Sequence, residues 1–286
     1  MTTDIRLLVL DIDGTLAGES NQISERVLAT IQRVQQRGIA VAIATGRMYQ
    51  SALRFYQAVG STLPLMAYQG AFIKSPHTQT LHRHTPLPRH LALEILSYLA
   101  PMEASGELSI HLYIDDQLHV RAIIEDTKAY AERSGIQPVA VGDLITLMQT
   151  NDAIETTKLL ALSENTHLLS DILSSLGQRY PTVELYLTRS VEYFVEATHP
   201  LANKGEAVRF VAEELLDLSP DQVMTIGDNF NDVEMIRYAG LGVAMGDAPT
   251  PVKQAADWVA PGVDQDGVAV ALEQFSAVAA SPMRLS

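Results

Sequence analysis

The 286-residue chain contains no cysteine, which removes disulfides, zinc–thiolate sites and cysteine nucleophiles from consideration. Positive charge is scarce: 20 Lys and Arg stand against 34 Asp and Glu, for a formal charge of −14. The basic footprint that nucleic acid or an anionic membrane requires is missing, so neither is expected as a partner. An anionic small substrate would have to be held by a few placed cations, by backbone N–H groups or by a metal. No apolar run approaches a membrane span, and the run that follows Asp4 and Arg6 is too short for a signal-peptide core, so a cytoplasmic protein is expected. Repeats, low-complexity tracts and disordered linkers are also absent. What remains is an ordinary globular balance, 47% hydrophobic and 19% charged, in a chain long enough for two domains. Composition is silent on oligomeric state.

The most informative stretch is Leu7-Leu8-Val9-Leu10-Asp11-Ile12-Asp13-Gly14-Thr15-Leu16. An unbroken apolar run of this kind suits a strand buried on both faces of a parallel sheet, and it stops abruptly at a carboxylate. With the chain extended through Ile12, period-two alternation points Asp11 and Asp13 the same way. Gly14 then permits a sharp turn, and Thr15 offers a hydroxyl. The pattern recurs. Ile39 to Ala44 is apolar and ends at Thr45-Gly46-Arg47 before a helical stretch from Met48. Gln222 to Ile226 ends at Gly227-Asp228-Asn229-Phe230-Asn231-Asp232, ahead of a helix over Val233–Tyr238. Ser24 caps a helix whose apolar stripe is Val27, Leu28, Ile31 and Val34. Strand–helix–strand order implies parallel pairing with right-handed crossovers.

From about Pro86 the texture changes. Strands with one polar side, Ile110–Ile114 and Leu118–Ile123, turn around Asp115-Asp116-Gln117, and they mix with helices, which suits an antiparallel sheet covered on one face. The fold class expected is α/β: residues 1–84 and 190–286 form a parallel-sheet core with helices on both faces, and residues 85–189 form an inserted α+β domain.

In open parallel sheets, ligands bind outside the carboxyl ends of the strands, which is where Asp11, Asp13, Thr45 and Asp228 fall. Asp11, Asp13 and Asp228 offer the hard oxygens that Mg²⁺ prefers and leave coordination positions open, whereas no run has the spacing of a calcium EF-hand loop. Thr45 is expected to open a helix whose N–H groups bind an anion, and Lys204 supplies a point charge for a phosphoryl group. Asp11, ionised at neutral pH with a reference pKa of about 3.9, can attack phosphorus. Asp13 feels that neighbouring charge, holds its proton more readily and suits general acid, then base.

In this order Asp11-Ile12-Asp13-Gly14-Thr15, Thr45-Gly46-Arg47, Lys204-Gly205 and Gly227-Asp228-Asn229-Phe230-Asn231-Asp232 resemble the four motifs of the haloacid dehalogenase (HAD) superfamily. The insertion between Thr45 and Lys204, and Asp266-Gly267-Val268, are similar to its Cof-like phosphatase branch (subclass IIB). That resemblance implies a Rossmann-like core with an inserted cap that sets substrate specificity, Asp11 as nucleophile and Asp13 as acid/base. It places Thr45, Gly46 and Lys204 at the phosphoryl group. Mg²⁺ is then held by Asp11, the Asp13 carbonyl and Asp228, with Asn231 and Asp232 supporting the metal and Lys204, and Asn231 also counted among the substrate-binding residues. Arg47 is read either as a substrate contact or as a cap on neighbouring structure. Two departures stand out: Gln69-Gly70-Ala71 where the branch often has Asn-Gly-Ala, and Asp247 where it often has Asn.

The leading function is Mg²⁺-dependent hydrolysis of a small phosphate monoester, a sugar phosphate or a phosphorylated cofactor, through an aspartyl-phosphate. The alternatives are a phosphomutase on the same fold and a catalytically silent phosphate-ligand binding protein. His77, His82, His84 and His90 crowd one region, but no acids flank them and a solvated hairpin is the expected reading. His111 and His119 lie in alternating strands, with substrate and solvent both open as what they face.

Overall fold

The apolar runs that stop at polar residues become the strands of one parallel sheet in the computed structural model, which describes residues 4–189 and 191–275. In chain order the strands are β1 (Leu7–Leu10), β2 (Ala40–Ile43), β3 (Leu65–Ala67), β4 (Phe72–Lys74), β5 (Leu81–His84), β6 (Ser109–Ile114) and β7 (Gln117–Val120). They continue as β8 (Val139–Ala140), β9 (Lys158–Leu162), β10 (Tyr186–Thr188), β11 (Phe194–Thr198), β12 (Val223–Gly227), β13 (Leu241–Ala244) and β14 (Trp258–Val259). The α-helices are α1 (Glu25–Gln36), α2 (Tyr49–Val59), α3 (Arg89–Ala104), α4 (Glu125–Ser134), α5 (Leu144–Thr150), α6 (Thr166–Arg179), α7 (Lys204–Arg209), α8 (Val233–Tyr238), α9 (Thr250–Ala255) and α10 (Gly267–Phe275). They divide into two units, residues 1–83 with 203–286, and residues 84–202.

The first unit has the strand order β14-β13-β12-β1-β2, all pairs parallel, with β1 between β12 and β2. It is an α/β core of Rossmann type. Alternation sorts its two faces. Leu7, Val9 and Ala42 pack with Val208 of α7 and Met235 of α8, while Leu8 and Met224 look toward Val34 of α1 and Leu272 of α10. Burying each Leu, Val or Met side chain contributes about 1.5–3 kcal/mol; β1 and β2 read apolar on both faces, and β12 carries Thr225, which donates to the Met235 carbonyl. Register then sets the site: Leu10 is level with Ile226 and with Ile43, so the residues that follow all three strands emerge along one edge.

The second unit is an α+β sheet of order β10-β11-β9-β6-β7-β8, antiparallel apart from β7 with β8. Its β6–β7 turn has Asp115 and Asp116 at φ +51° and +56°, a two-residue primed turn that suits the strand twist. One face (Ile110, Leu112, Leu159, Val195) packs on α3, α5 and α6. The opposite face is polar yet buried. There Lys158 Nζ donates to Glu196 Oε2 at 3.0 Å, Tyr113 and Tyr130 of α4 share a 2.7 Å hydroxyl bond, and His111 meets the Tyr130 ring at 5.0 Å.

Two features differ from the sequence expectation. The inserted unit runs on past Arg189 to Ala202, because β11 pairs antiparallel with β9 and β10 instead of returning to the parallel sheet. Helix α5, unforeseen, starts at Asp143, whose carboxylate accepts the Thr146 N–H at 2.7 Å. No helix among the described residues is long and apolar enough to cross a membrane.

Neither ring nitrogen of His111 has a hydrogen-bond partner; burial, helped by Lys158, pushes its pKa down to about 3. The folded chain thus refuses a proton that the unfolded chain takes up below its ordinary value of 6.5. This contribution is full above pH 6.5 and is lost as the pH falls toward 3, at up to about 1.4 kcal/mol per unit. Urea unfolding at pH 7.5, 6.5 and 5.5 should therefore show a shallower acid decline in His111→Gln than in the unaltered protein; parallel declines would contradict this account.

Candidate active site

Chain β1 leads straight into Asp11, whose N–H still donates to the Ile226 carbonyl at 3.1 Å. The chain then leaves the sheet: the Ile12 carbonyl accepts from Thr15 N (3.3 Å) and Ala17 N (2.9 Å), closing a tight turn. Gly14, at φ +82°, is obligatory there twice over, since a methyl group on it would also overlap the Asp228 carboxylate. Thr15 Oγ1 donates to Asp228 Oδ1 at 2.9 Å and fastens this turn to the loop after β12.

Lys204 opens α7 behind Asn203, whose side chain accepts the Glu206 N–H at 2.9 Å. Its side chain is wholly buried, and Nζ donates to Asp11 Oδ1 at 2.6 Å and to Asp232 Oδ1 at 2.5 Å. The other oxygen of Asp232 accepts the N–H groups of Asp228 (2.9 Å) and Asn229 (3.0 Å). Asp232 therefore holds both the ammonium and the loop that carries Asp228. Burial works against the Lys204 charge, yet Asp11 and Asp232 outweigh it and hold its pKa above the lysine value. Burial pushes the Asp11 carboxyl up to about 7 against the pull of Lys204, with Asp232 and Asp13 adding to the rise. Asp228 is pushed well up by burial, then by Asp232 and Asp11.

Burial is the first cause of the two carboxylate shifts, and neighbouring negative charge adds to both. Carboxylate oxygens of Asp11, Asp228 and Asp232 lie within 4.8 Å of one another. With one ammonium among them, two formal negative charges stay unbalanced. Among the described residues, no hydrogen bond claims the second oxygen of Asp11 or of Asp228, whereas both oxygens of Asp232 are engaged. An all-oxygen donor set with that surplus fits a hard divalent cation, with Asp11 and Asp228 the better side-chain ligands. The histidines are not part of this cluster.

Asp13 departs from the simple alternation. The turn at Ile12 gives it different partners from Asp11: it is exposed, and Arg47 clamps it through Nε (2.8 Å) and Nη2 (2.5 Å). Arg47 also donates to Asn21 at 2.8 Å. Thr45 does not open α2, which starts at Tyr49; it sits in a loop where its Oγ1 accepts the Arg47 N–H at 3.1 Å and its own N–H donates to the Met66 carbonyl. Asn231 donates to Gln69 Oε1 at 3.1 Å, bringing into the site a residue noted in the sequence only as a departure. Its signal was its place, just before a glycine at the end of an apolar strand. Asp247 is exposed and accepts the Val263 N–H at 3.0 Å, a turn-holding role apart from the cluster.

The model of the haloacid dehalogenase-like hydrolase family matches residues 8–272. The chain belongs to that family. Within these HAD hydrolases it falls in the Cof-like phosphatase branch and is a phosphoric monoester hydrolase. It is 30% identical to the 5-amino-6-(5-phospho-D-ribitylamino)uracil phosphatase YitU of Bacillus subtilis, over 96% of this chain and 99% of that protein. It is 28% identical to the pyridoxal phosphate phosphatase YbhA of Escherichia coli, over 94% and 97%. Among solved structures, a haloacid dehalogenase-like hydrolase from Bacteroides thetaiotaomicron superposes with a TM-score of 0.80 at 27% identity, covering 95% of this chain and 99% of that one.

Removing one partner of a buried ion pair costs about 3–5 kcal/mol. Lys204→Met, which strands two carboxylates, should lower the urea-unfolding free energy of the metal-free protein by that amount. A loss under about 1 kcal/mol would show that the ammonium is not what holds Asp11 and Asp232 together.

Proposed function

We propose that the protein hydrolyses small phosphate monoesters with Mg²⁺, through an aspartyl-phosphate on Asp11, and that residues 84–202 act as the cap that selects the substrate. The observation that carries this reading is the buried Asp11 carboxylate fixed 2.6 Å from the Lys204 ammonium, at the edge where three parallel strands end in register. The names of relatives that act on a ribitylamino-uracil phosphate and on pyridoxal phosphate support a phosphorylated sugar derivative or cofactor as substrate.

Lys204 first opposes the burial that raises the Asp11 carboxyl, then balances charge on the incoming phosphoryl oxygens. Thr45 and the Gly46 N–H bind those oxygens from the loop after β2. An oxygen of Asp11 attacks phosphorus as the ester P–O bond breaks, and Asp13, released from Arg47 and protonated from solvent, passes that proton to the departing alkoxide. Asp13 then takes a proton from water, whose oxygen attacks phosphorus and frees Asp11. Before either transfer Asp13 has to leave the Arg47 clamp, so Arg47 sets where the acid waits. Asp232 keeps Lys204 and the Asp228 loop in place throughout. Mg²⁺, held by Asp11, the Asp13 carbonyl and Asp228, would supply charge neutralisation at the phosphoryl oxygens.

With a generic aryl phosphate and Mg²⁺, the protein should release inorganic phosphate, and Asp11→Asn should lower kcat by about 10³-fold or more. Mg²⁺ should also raise the melting temperature, and Asp228→Asn should abolish that rise. Activity within tenfold in Asp11→Asn rules out the covalent route, and an unchanged melting temperature on adding Mg²⁺ rules out the cation site.

A further inference from the structure

The turn Tyr68-Gln69-Gly70 carries a side chain that the mechanism above does not use. Gln69 is fully buried. Two backbone bonds lay its turn along the Thr45 loop: Gln69 N–H donates to the Thr45 carbonyl and Tyr68 N–H to the Arg47 carbonyl, both at 2.9 Å. Tyr68 and Gln69 sit at φ +52° and +58°, left-handed conformations that non-glycine residues rarely hold, and this backbone aims the Gln69 side chain back across the loop. Its carboxamide lies over Gly46 so closely that any side chain at 46 would overlap Nε2. At its other end Oε1 accepts from Asn231 Nδ2 at 3.1 Å.

The pair is only half satisfied. Gln69 Nε2 and Asn231 Oδ1 are both buried without a hydrogen-bond partner. Turning both amides over exchanges which residue keeps the open N–H but leaves one open on the pair. A buried amide donor between a phosphoryl-binding glycine and the acid loop calls for an acceptor, and the strongest acceptor brought to this edge is a phosphate oxygen. Resting on the phosphatase reading, we propose that Gln69 is a phosphoryl-binding residue: its carboxamide, braced between Gly46 and Asn231, donates to an oxygen of the transferred group. Two consequences follow from its place. Gln69 senses the phosphoryl group and not the alcohol, so its contribution is the same for every ester. Asparagine there keeps the donor but is one methylene too short to span Gly46 and Asn231 together.

Binding of inorganic phosphate to the Mg²⁺-supplied protein, measured by calorimetry, tests this without turnover. Gln69→Leu, of similar volume, should weaken phosphate binding about tenfold or more, the effect expected of a hydrogen bond to a charged acceptor. Its KM should rise by one common factor across esters with different alcohols. Gln69→Glu, which replaces the donor with an anion, should bind phosphate more weakly still, and Gln69→Asn should fall between Gln69→Leu and the unaltered protein. Phosphate affinity unchanged in Gln69→Leu, or KM shifts that vary from ester to ester, overturns the proposal. Should Gln69→Leu not fold, the Gln69→Glu and Gln69→Asn pair decides by the same reading. An unaltered protein that binds phosphate but releases none from any ester would sink the phosphatase reading while leaving the Gln69 comparison intact.

Discussion

A single ammonium organises the carboxyl edge of the parallel sheet. Lys204 is wholly buried and touches two carboxylates that come from opposite ends of the sequence, Asp11 after the first strand and Asp232 beyond β12. A charge in such a place is tolerable only when its partners are fixed, and the fold fixes them by register. Because β1 lies between β12 and β2 with Leu10 level to both neighbours, the loops that follow are delivered to one line. Asp232 then ties its own loop to Asp228 through two backbone N–H groups, and Thr15 closes the circle from the other side. The helices on each face of the sheet serve this arrangement by making β1 apolar on both sides, so that the first polar side chain after it is Asp11.

Much of that was legible in the sequence, for a physical reason. Strands buried on both faces admit few polar residues, so an abrupt change from Leu10 to Asp11, Ala44 to Thr45 or Gly227 to Asp228 marks a sheet edge directly. The side-chain directions were harder. Alternation placed Asp13 beside Asp11, but it presumes an extended backbone, and the carbonyl of Ile12 instead accepts two N–H groups in a turn that hands Asp13 to Arg47. Thr45 misled similarly: with Gly46, Arg47 and Met48 between it and α2, it caps a loop, a distinction of three residues that propensity does not resolve. Helix α5 has only two buried positions, Leu144 and Met148, fewer than periodicity needs, although Asp143 was a readable cap. The strand β11 looked like a return to the core because nothing in Phe194–Thr198 tells which sheet it will join; pairing partners 32 to 38 residues away in β9 decide that. Gln69 hid behind its neighbour, since only Gly70 advertises a left-handed turn that begins two residues earlier.

The two units manage buried polarity in contrasting ways. In the parallel-sheet unit, carboxylates outnumber the ammonium, an imbalance that suits a cation. In the other unit, Lys158 and Glu196 match one for one on the face of the sheet opposite its apolar core.

That matched pair constrains how the second unit can change over generations. Losing either charge alone removes the other's ion-pair partner at a cost of about 3–5 kcal/mol, a large part of a typical domain's stability, while exchanging both for well-packed apolar residues is close to neutral. Single-step routes between a charged and a greasy version of this sheet face thus cross a valley that most descendants do not survive. Positions 158 and 196 are expected to drift together or not at all, an inheritance written by solvation rather than by chemistry at the edge of the other sheet.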